Sequence, residues 1–170
     1  MSDDFRKRLD SEKPVERAVA DWLINVRGSH ILATCEYSGL GDRKAPKLEG
    51  APHLVLPDFL SFRGGRASFI EVKHKAGADW THTKRRWETG IDLRLWQQYL
   101  AVERVTRIPV WLFFLHDKEA ELRAEALATL VDTARPSPNF NQGRGGVFFA
   151  WESLRLLATL DDVLRFRRPS

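Results

Sequence analysis

The chain has 170 residues, 43% of them hydrophobic, with 27 basic and 23 acidic side chains, a formal net charge of +4 and an isoelectric point near 9.5. Length and apolar content suit one domain over residues 1–170, with 1–13 read as a flexible N-terminus, and neither a repeat nor a low-complexity tract argues otherwise. No apolar run approaches the ~20 residues of a membrane span, the first ten residues are too polar for a secretory signal, and a cytoplasmic protein is expected. Cys35, the single cysteine, excludes an internal disulfide and argues against a cysteine-based zinc site. It reads as a small buried hydrophobe in a strand.

In chain order, Pro14 suits the first turn of a helix whose stripe Val15, Ala18, Val19, Trp22 and Val26 follows the 3.6-residue period, with Gly28 placed to end it. Residues 30–37 read as a strand and 38–52 as a loop rich in Gly, Pro and Lys. Residues 54–63 and 66–75 are apolar-rich runs on either side of Gly64 and Gly65, which can take the positive φ values of a two-residue hairpin turn. With Arg63 opposite Arg66, Phe62 faces Ala67, Leu60 faces Phe69 and Asp58 faces Glu71. Residues 91–107 form a second predicted helix with Leu95, Tyr99 and Val102 on one face and Pro109 past its end. Residues 110–115 (VWLFFL) predict a central strand covered on both faces. Residues 118–134 look helical, 139–146 form a polar loop, 147–151 a short strand, and a last helix starts at Ser153 carrying Leu154, Leu157 and Leu160.

The hairpin carries the chemistry. Opposed residues in an antiparallel pair have Cβ atoms roughly 4.5–5.5 Å apart, so two acids there repel unless a positive charge sits between them. Alternation along the second strand puts Phe69, Glu71 and Lys73 on one face and Ile70 and Val72 on the other, so Lys73 lies on the side of both acids. Hard cations such as Mg²⁺ take carboxylate and water oxygens and leave positions open for a phosphate. A lysine beside such an ion can orient the attacking water or stabilise the charged transition state.

The basicity is local. Residues 73–86 hold five cations (Lys73, Lys75, Lys84, Arg85 and Arg86) against one acid, Asp79, an excess equal to the net charge of the whole chain. His74, Trp80, His82 and Trp87 are interleaved with them. Such a segment suits phosphate contacts and base stacking; as a solvated loop, its tryptophans would cover the edge of the core. Its place directly after the acids favours substrate contact through Lys75, His82, Lys84, Arg85 and Arg86. The histidines lack the spacing of a zinc site, and no Gly-x-Ser-x-Gly elbow supports a serine hydrolase.

Pro57-Asp58, twelve intervening residues and then Glu71-Val72-Lys73 in an apolar strand resemble the PD-(D/E)XK nuclease superfamily, the restriction-endonuclease-like fold that includes junction resolvases. The order helix, strand, hairpin, helix, strand over residues 14–116 resembles the αβββαβ core of that superfamily, a mixed central sheet flanked by helices, here with a C-terminal α/β extension. Relatives often carry a glutamate on the first helix, and Glu16 occupies a comparable place, although it also reads as a solvated helix residue. Many carry a glutamine on the helix after the Glu-x-Lys strand. With Leu95 at 0° and about 100° per residue, Tyr99 falls at about 40°, Val102 at about −20°, Gln98 at about −60° and Gln97 at about 200°, so Gln98 borders the buried face. The RecB-like Gln-x-x-x-Tyr pattern is absent, because Leu95 stands four before Tyr99, and so is the four-cysteine iron–sulfur framework of Cas4-like relatives. Residues 89–114 look most like small phage and bacterial members.

The resemblance implies a Mg²⁺-dependent nuclease, with Mn²⁺ able to substitute, that hydrolyses DNA phosphodiester bonds. Asp58 and Glu71 would hold the metal, Lys73 would position water, and Glu16 and Gln98 would assist from around them. The resemblance also implies a homodimer, as in relatives that cut both strands. The competing expectations are an inactive nucleic-acid-binding or assembly module on the same fold and an RNA-directed nuclease, since nothing in the sequence reads a 2′-hydroxyl.

Overall fold

In the computed structural model, which describes residues 3–34, 47–138 and 140–166, the chain enters through α1 (Asp3–Arg27) and β1 (His30–Ala33). Next come the short pair β2 (Lys47–Leu48) and β3 (Ala51–Val55), then two hairpins, β4 (Phe59–Arg63) with β5 (Arg66–Lys75) and β6 (Asp79–Thr81) with β7 (Arg86–Asp92). The helix α2 (Leu93–Thr106) leads into β8 (Val110–His116), β9 (Glu121–Ala126) and the single turn α3 (Leu127–Leu130). The chain closes with β10 (Arg135–Ser137), α4 (Phe140–Gly143), β11 (Gly146–Ala150), a 3₁₀ turn at Trp151–Ser153, β12 (Arg155–Thr159) and α5 (Leu160–Leu164).

Six strands make the main sheet in the order β1-β4-β5-β8-β9-β12. Among the described strands only β5 and β8 pair in parallel; a parallel pair needs a crossover, and α2 lies in the connection that makes it. Removing the inserted pairs β2/β3 and β6/β7 leaves α1, β1, β4, β5, α2 and β8, the αβββαβ order expected, with β9 to α5 as the C-terminal extension. Alternation along β8 divides two cores. Phe113 and Leu115 join Val19, Trp22, Ile70, Val72 and Val163 on the face covered by α1 and α5, whereas Val110, Leu112 and Phe114 join Phe69, Tyr99, Val102, Leu127 and Phe149 on the α2 face. A second sheet, ordered β10-β11-β7-β6, contributes to this second core through Ile91, Val147 and Phe149.

Several expectations need correction. The first helix begins at Asp3 rather than at Pro14, placing Pro14 inside it, where it has no amide proton for the helix ladder. Gly28 does end α1, at φ 65°, but the last turn turns Ile24 and Val26 to solvent. The expected strand 30–37 is described to Ala33, with Cys35 outside the described residues, as is most of the loop 38–52. Ile91 lies in β7 rather than starting α2, because Asp92 caps the helix by accepting the Arg94 amide at 2.8 Å. Residues 121–126 are strand, not helix: their good helix formers are pinned between β8 and β12, with Leu122 and Ala124 fully buried. Residues 155–159 likewise form edge strand β12, and only α5 remains of the last predicted helix, closed by a Thr159/Asp162 capping box.

Glu88, whose side chain is fully buried on β7, ties the second sheet together. Its carboxylate accepts from the Thr81 hydroxyl at 2.7 Å, from Arg86 Nη2 at 2.8 Å and from Arg135 on β10. Burial alone would raise its pKa, but the bonds from Arg135, Thr81 and Arg86 outweigh it and bring the value down from 4.5 to about 2. A depressed carboxyl pKa stabilises the fold above its unfolded value, and that stabilisation is lost as pH falls through the folded one. Glu88→Gln is therefore expected to cost about 3 kcal/mol at pH 7 in urea unfolding, and the gap to the parent should narrow steadily between pH 4.5 and about 2.

Candidate active site

The β4–β5 hairpin keeps the expected register: Arg63 opposes Arg66, Phe62 opposes Ala67 and Leu60 opposes Phe69, around a turn in which Gly64 and Gly65 have φ of 56° and 73°. The register stops one pair short of the acids. Its last pair is Phe59 with Ile70, so Asp58 is not a ladder partner of Glu71. Pro57 has no amide to give, and Thr34, just past the end of β1, takes over both neighbouring carbonyls, its amide bonding Asp58 O at 3.0 Å and its hydroxyl bonding Pro57 O. Leu54, expected on the same strand, belongs to β3.

The carboxylates nevertheless converge. Asp58 Oδ2 accepts the Val72 amide at 2.8 Å, replacing the ladder bond that the bend at Asp58 removes and fixing the carboxylate against β5. Glu71 is 3% exposed and its Oε1 lies 2.5 Å from Lys73 Nζ. Phe69 on one core and Ile70 and Val72 on the other confirm that Glu71 and Lys73 point to the α2 face. The Asp58 pKa is pushed well above 3.8, first by burial, then by the negative charges of Glu71 and Glu16; Lys73 and the Val72 amide pull the other way without cancelling the effect. Glu16 on α1 therefore lies within electrostatic reach of Asp58. Gln98 is half-buried on α2 while Gln97 faces solvent, as helix geometry predicts, and the buried Oε1 of Gln98 has no hydrogen-bond partner among the described residues.

Beside the acids, Lys73 and Lys75 line a cleft of about 220 Å³ whose opposite wall is Gly90, Ile91 and Asp92 of β7 with Leu95 of α2. His82, Lys84 and Arg85 are exposed in the β6–β7 turn. Residues 76–86 are thus mostly a hairpin rather than a loop, and Arg86, expected among the nucleic-acid contacts, spends its charge on Glu88 instead. Sequence reading also missed the polar group behind Lys75. His116, fully buried in register with Lys75, hydrogen-bonds the Thr89 hydroxyl at 3.0 Å and the Glu119 carboxylate at 3.2 Å and stacks on Trp151 with ring centroids 4.3 Å apart. Burial lowers its pKa, with Glu119 opposing. A histidine in an apolar strand end carries no sequence signal for such partners.

The donor set suits a hard divalent cation. Glu71 is buried, Asp58 half-buried and Glu16 within electrostatic reach of Asp58, an oxygen-rich donor set of the kind that hard cations take. Among the described residues no three His, Cys, Asp or Glu side chains are already arranged around a single metal position, and Glu71 is paired with Lys73.

No protein-family model matches the chain, and no curated protein does. Among solved structures it is similar to Hjc, a Holliday junction resolvase from the archaeal hyperthermophile Archaeoglobus fulgidus, at 12% identity and a TM-score of 0.48 over 88% of this chain and 98% of that one. It is also similar to a nuclease from a fusselovirus, at 10% identity and a TM-score of 0.46 over 98% of this chain and 94% of that one.

The crowding has a consequence for stability. A carboxyl whose folded pKa is raised destabilises the fold once it ionises, so the cost is absent at low pH and complete above the folded pKa. Asp58→Asn keeps an acceptor for the Val72 amide and removes the charge. In EDTA at pH 8 it is expected to raise the melting temperature by about 2–4 °C, the shift of roughly 1 kcal/mol for a chain of this size, with the gain shrinking as pH falls towards 4.

Proposed function

We propose that the chain is a divalent-metal-dependent nuclease that hydrolyses DNA phosphodiester bonds. The observation that carries this reading is the convergence of Asp58, Glu71 and Lys73 at one end of the β4–β5 hairpin, with the charge of Glu16 within electrostatic reach. Mg²⁺, or Mn²⁺ in its place, would be held by Asp58 and Glu71 and would supply a Lewis acid and a water of lowered pKa. The chain's own residues do the rest. The Val72 amide holds the Asp58 carboxylate in one orientation. Lys73, 27% exposed at its side chain, can leave Glu71 to donate to a phosphate oxygen or to the attacking water. Glu16 adds negative charge on the α1 side, and Gln98 Oε1 is a ready acceptor on the α2 side. Lys75 extends the positive wall of the cleft, and His82, Lys84 and Arg85 offer further phosphate contacts on the adjoining hairpin. A homodimer would allow both strands of a duplex to be cut.

Incubating the protein with plasmid, single-stranded DNA and RNA in Mg²⁺, Mn²⁺ or EDTA tests this. DNA cleavage is expected with either metal and none in EDTA. Asp58→Ala should abolish it and Lys73→Ala should slow it about 10²–10³-fold, the usual loss when a transition-state donor is removed. Cleavage confined to RNA would reassign the substrate, and DNA binding without cleavage under every condition would leave only the binding module.

A further inference from the structure

Two indoles stand clear of both hydrophobic cores. Trp80 of β6 and Trp87 of β7 oppose each other in the ladder, their rings 5.4 Å apart at 66°, and they are 42% and 39% exposed. Neither is among the buried residues that make up the two cores. Opposed residues share a face of a hairpin, so the pair projects on one side while Thr81, Arg86 and Glu88 take the other. That other side is anchored by the buried Glu88 carboxylate and its bonds to Thr81, Arg86 and Arg135. The ridge is therefore held in place from behind, and little further ordering is needed for it to receive a ligand.

Its surroundings are cationic. Lys118 Nζ lies 5.3 Å from the centre of the Trp87 ring, and His82, Lys84 and Arg85 are exposed in the turn that joins the two strands. Lys118 is placed there by the main chain: its amide bonds Ala76 O at 3.0 Å, just after the Asp117 amide bonds Lys75 O at 3.0 Å. From Trp87, β7 runs on to Gly90, which lines the same cleft as Lys73 and Lys75. Three residue steps along β7 take Trp87 to Gly90, about 10 Å at 3.3 Å per step, or roughly three stacked nucleotide steps at 3.4 Å each.

Exposed aromatic faces among cations bind unpaired bases, each of which offers a π-face that an intact duplex keeps stacked inside. We infer that the Trp80–Trp87 ridge is a stacking platform for unpaired nucleotides, so that the substrate of the adjoining cleft is DNA with a single-stranded segment next to the cut, rather than uninterrupted duplex. This rests on the nuclease reading for what happens in the cleft, but the ridge can be tested without it.

Binding of a labelled single-stranded oligonucleotide and of a duplex of equal length, followed by fluorescence anisotropy in EDTA, provides the test. The single strand should bind at least about tenfold more tightly. Trp80→Ala and Trp87→Ala should each weaken single-strand binding by about 5–100-fold and leave duplex binding within about twofold. Trp80→Tyr, which keeps a stacking ring and is the safeguard against a folding defect, should recover most of the affinity. Equal losses on both DNAs, or no loss of single-strand affinity, would overturn the platform. Cleavage by the parent protein separates the two claims: if the alanine variants still bind and cut single strands normally, the platform fails and the nuclease stands. Ridge-dependent single-strand binding by a protein that cuts nothing would leave the platform standing and remove the nuclease.

Discussion

Like charge held out of water is the constraint around which the site is organised. Asp58, Glu71 and Glu16 come from three different elements and lie close enough for the last two to raise the first. Desolvation makes each charge more costly and each repulsion stronger. Among the described residues, the Val72 amide at 2.8 Å and the Lys73 ammonium pull the other way, and the Asp58 carboxyl is still shifted upwards. A fold that keeps such an imbalance keeps an affinity for positive charge at that point, because a cation arriving there removes both the repulsion and part of the desolvation cost.

Glu88 shows that the imbalance is particular to its place. It too is a buried acid on a strand of the α2 side, yet two arginines and a threonine hydroxyl surround it and its pKa falls to about 2. Glu125 on β9, buried and paired with Arg155 through two bonds of 2.7 and 2.8 Å, is treated in the same way. The chain therefore contains the means to satisfy a buried carboxylate with guanidinium groups. At the hairpin end it supplies one ammonium, which is flexible and separable, where elsewhere it supplies rigid bidentate forks. This contrast suits a residue that must exchange partners during a reaction and would serve poorly in a purely structural pair.

What could be read from the sequence depended on whether local chemistry or distant pairing decided the outcome. The Gly64-Gly65 turn has a local cause, so its register, the sidedness of Glu71 and Lys73 and the outward turn of Gln97 follow from the residues themselves. The apolar run at Val110–His116 was legible for the same reason, since a strand buried on both faces needs no alternation. The segments 121–126 and 155–159 were not, because Glu, Leu, Arg and Ala favour helix and only their pairing with β8 and with each other makes them strands. The end of the β4 ladder was hidden in another way: it is Thr34, more than twenty residues away in sequence, that captures the Pro57 and Asp58 carbonyls and frees the Asp58 side chain to reach Val72. The Glu88 cluster joins residues 81, 86, 88 and 135, and no spacing rule links the last to the others.

The site and the ridge are also connected by covalent continuity. One stretch of chain passes from Glu71 and Lys73 along β5 to Lys75, turns through β6 and returns along β7 to the wall facing those lysines. The 117–120 turn braces the crossing, holding Lys75 and Ala76 by their carbonyls and packing so closely at Gly77 that a β-carbon there would lie 3.1 Å from Lys118 Cβ. Glu88 then fixes β6 and β7 to the second sheet, and α2 packs against both that sheet and β8. The separation between the acids and the exposed tryptophans is thereby set by strand geometry rather than by a loop. Whatever occupies the ridge is held at a constant distance from Lys73, which is the condition for a binding surface to determine where along a strand the chemistry falls.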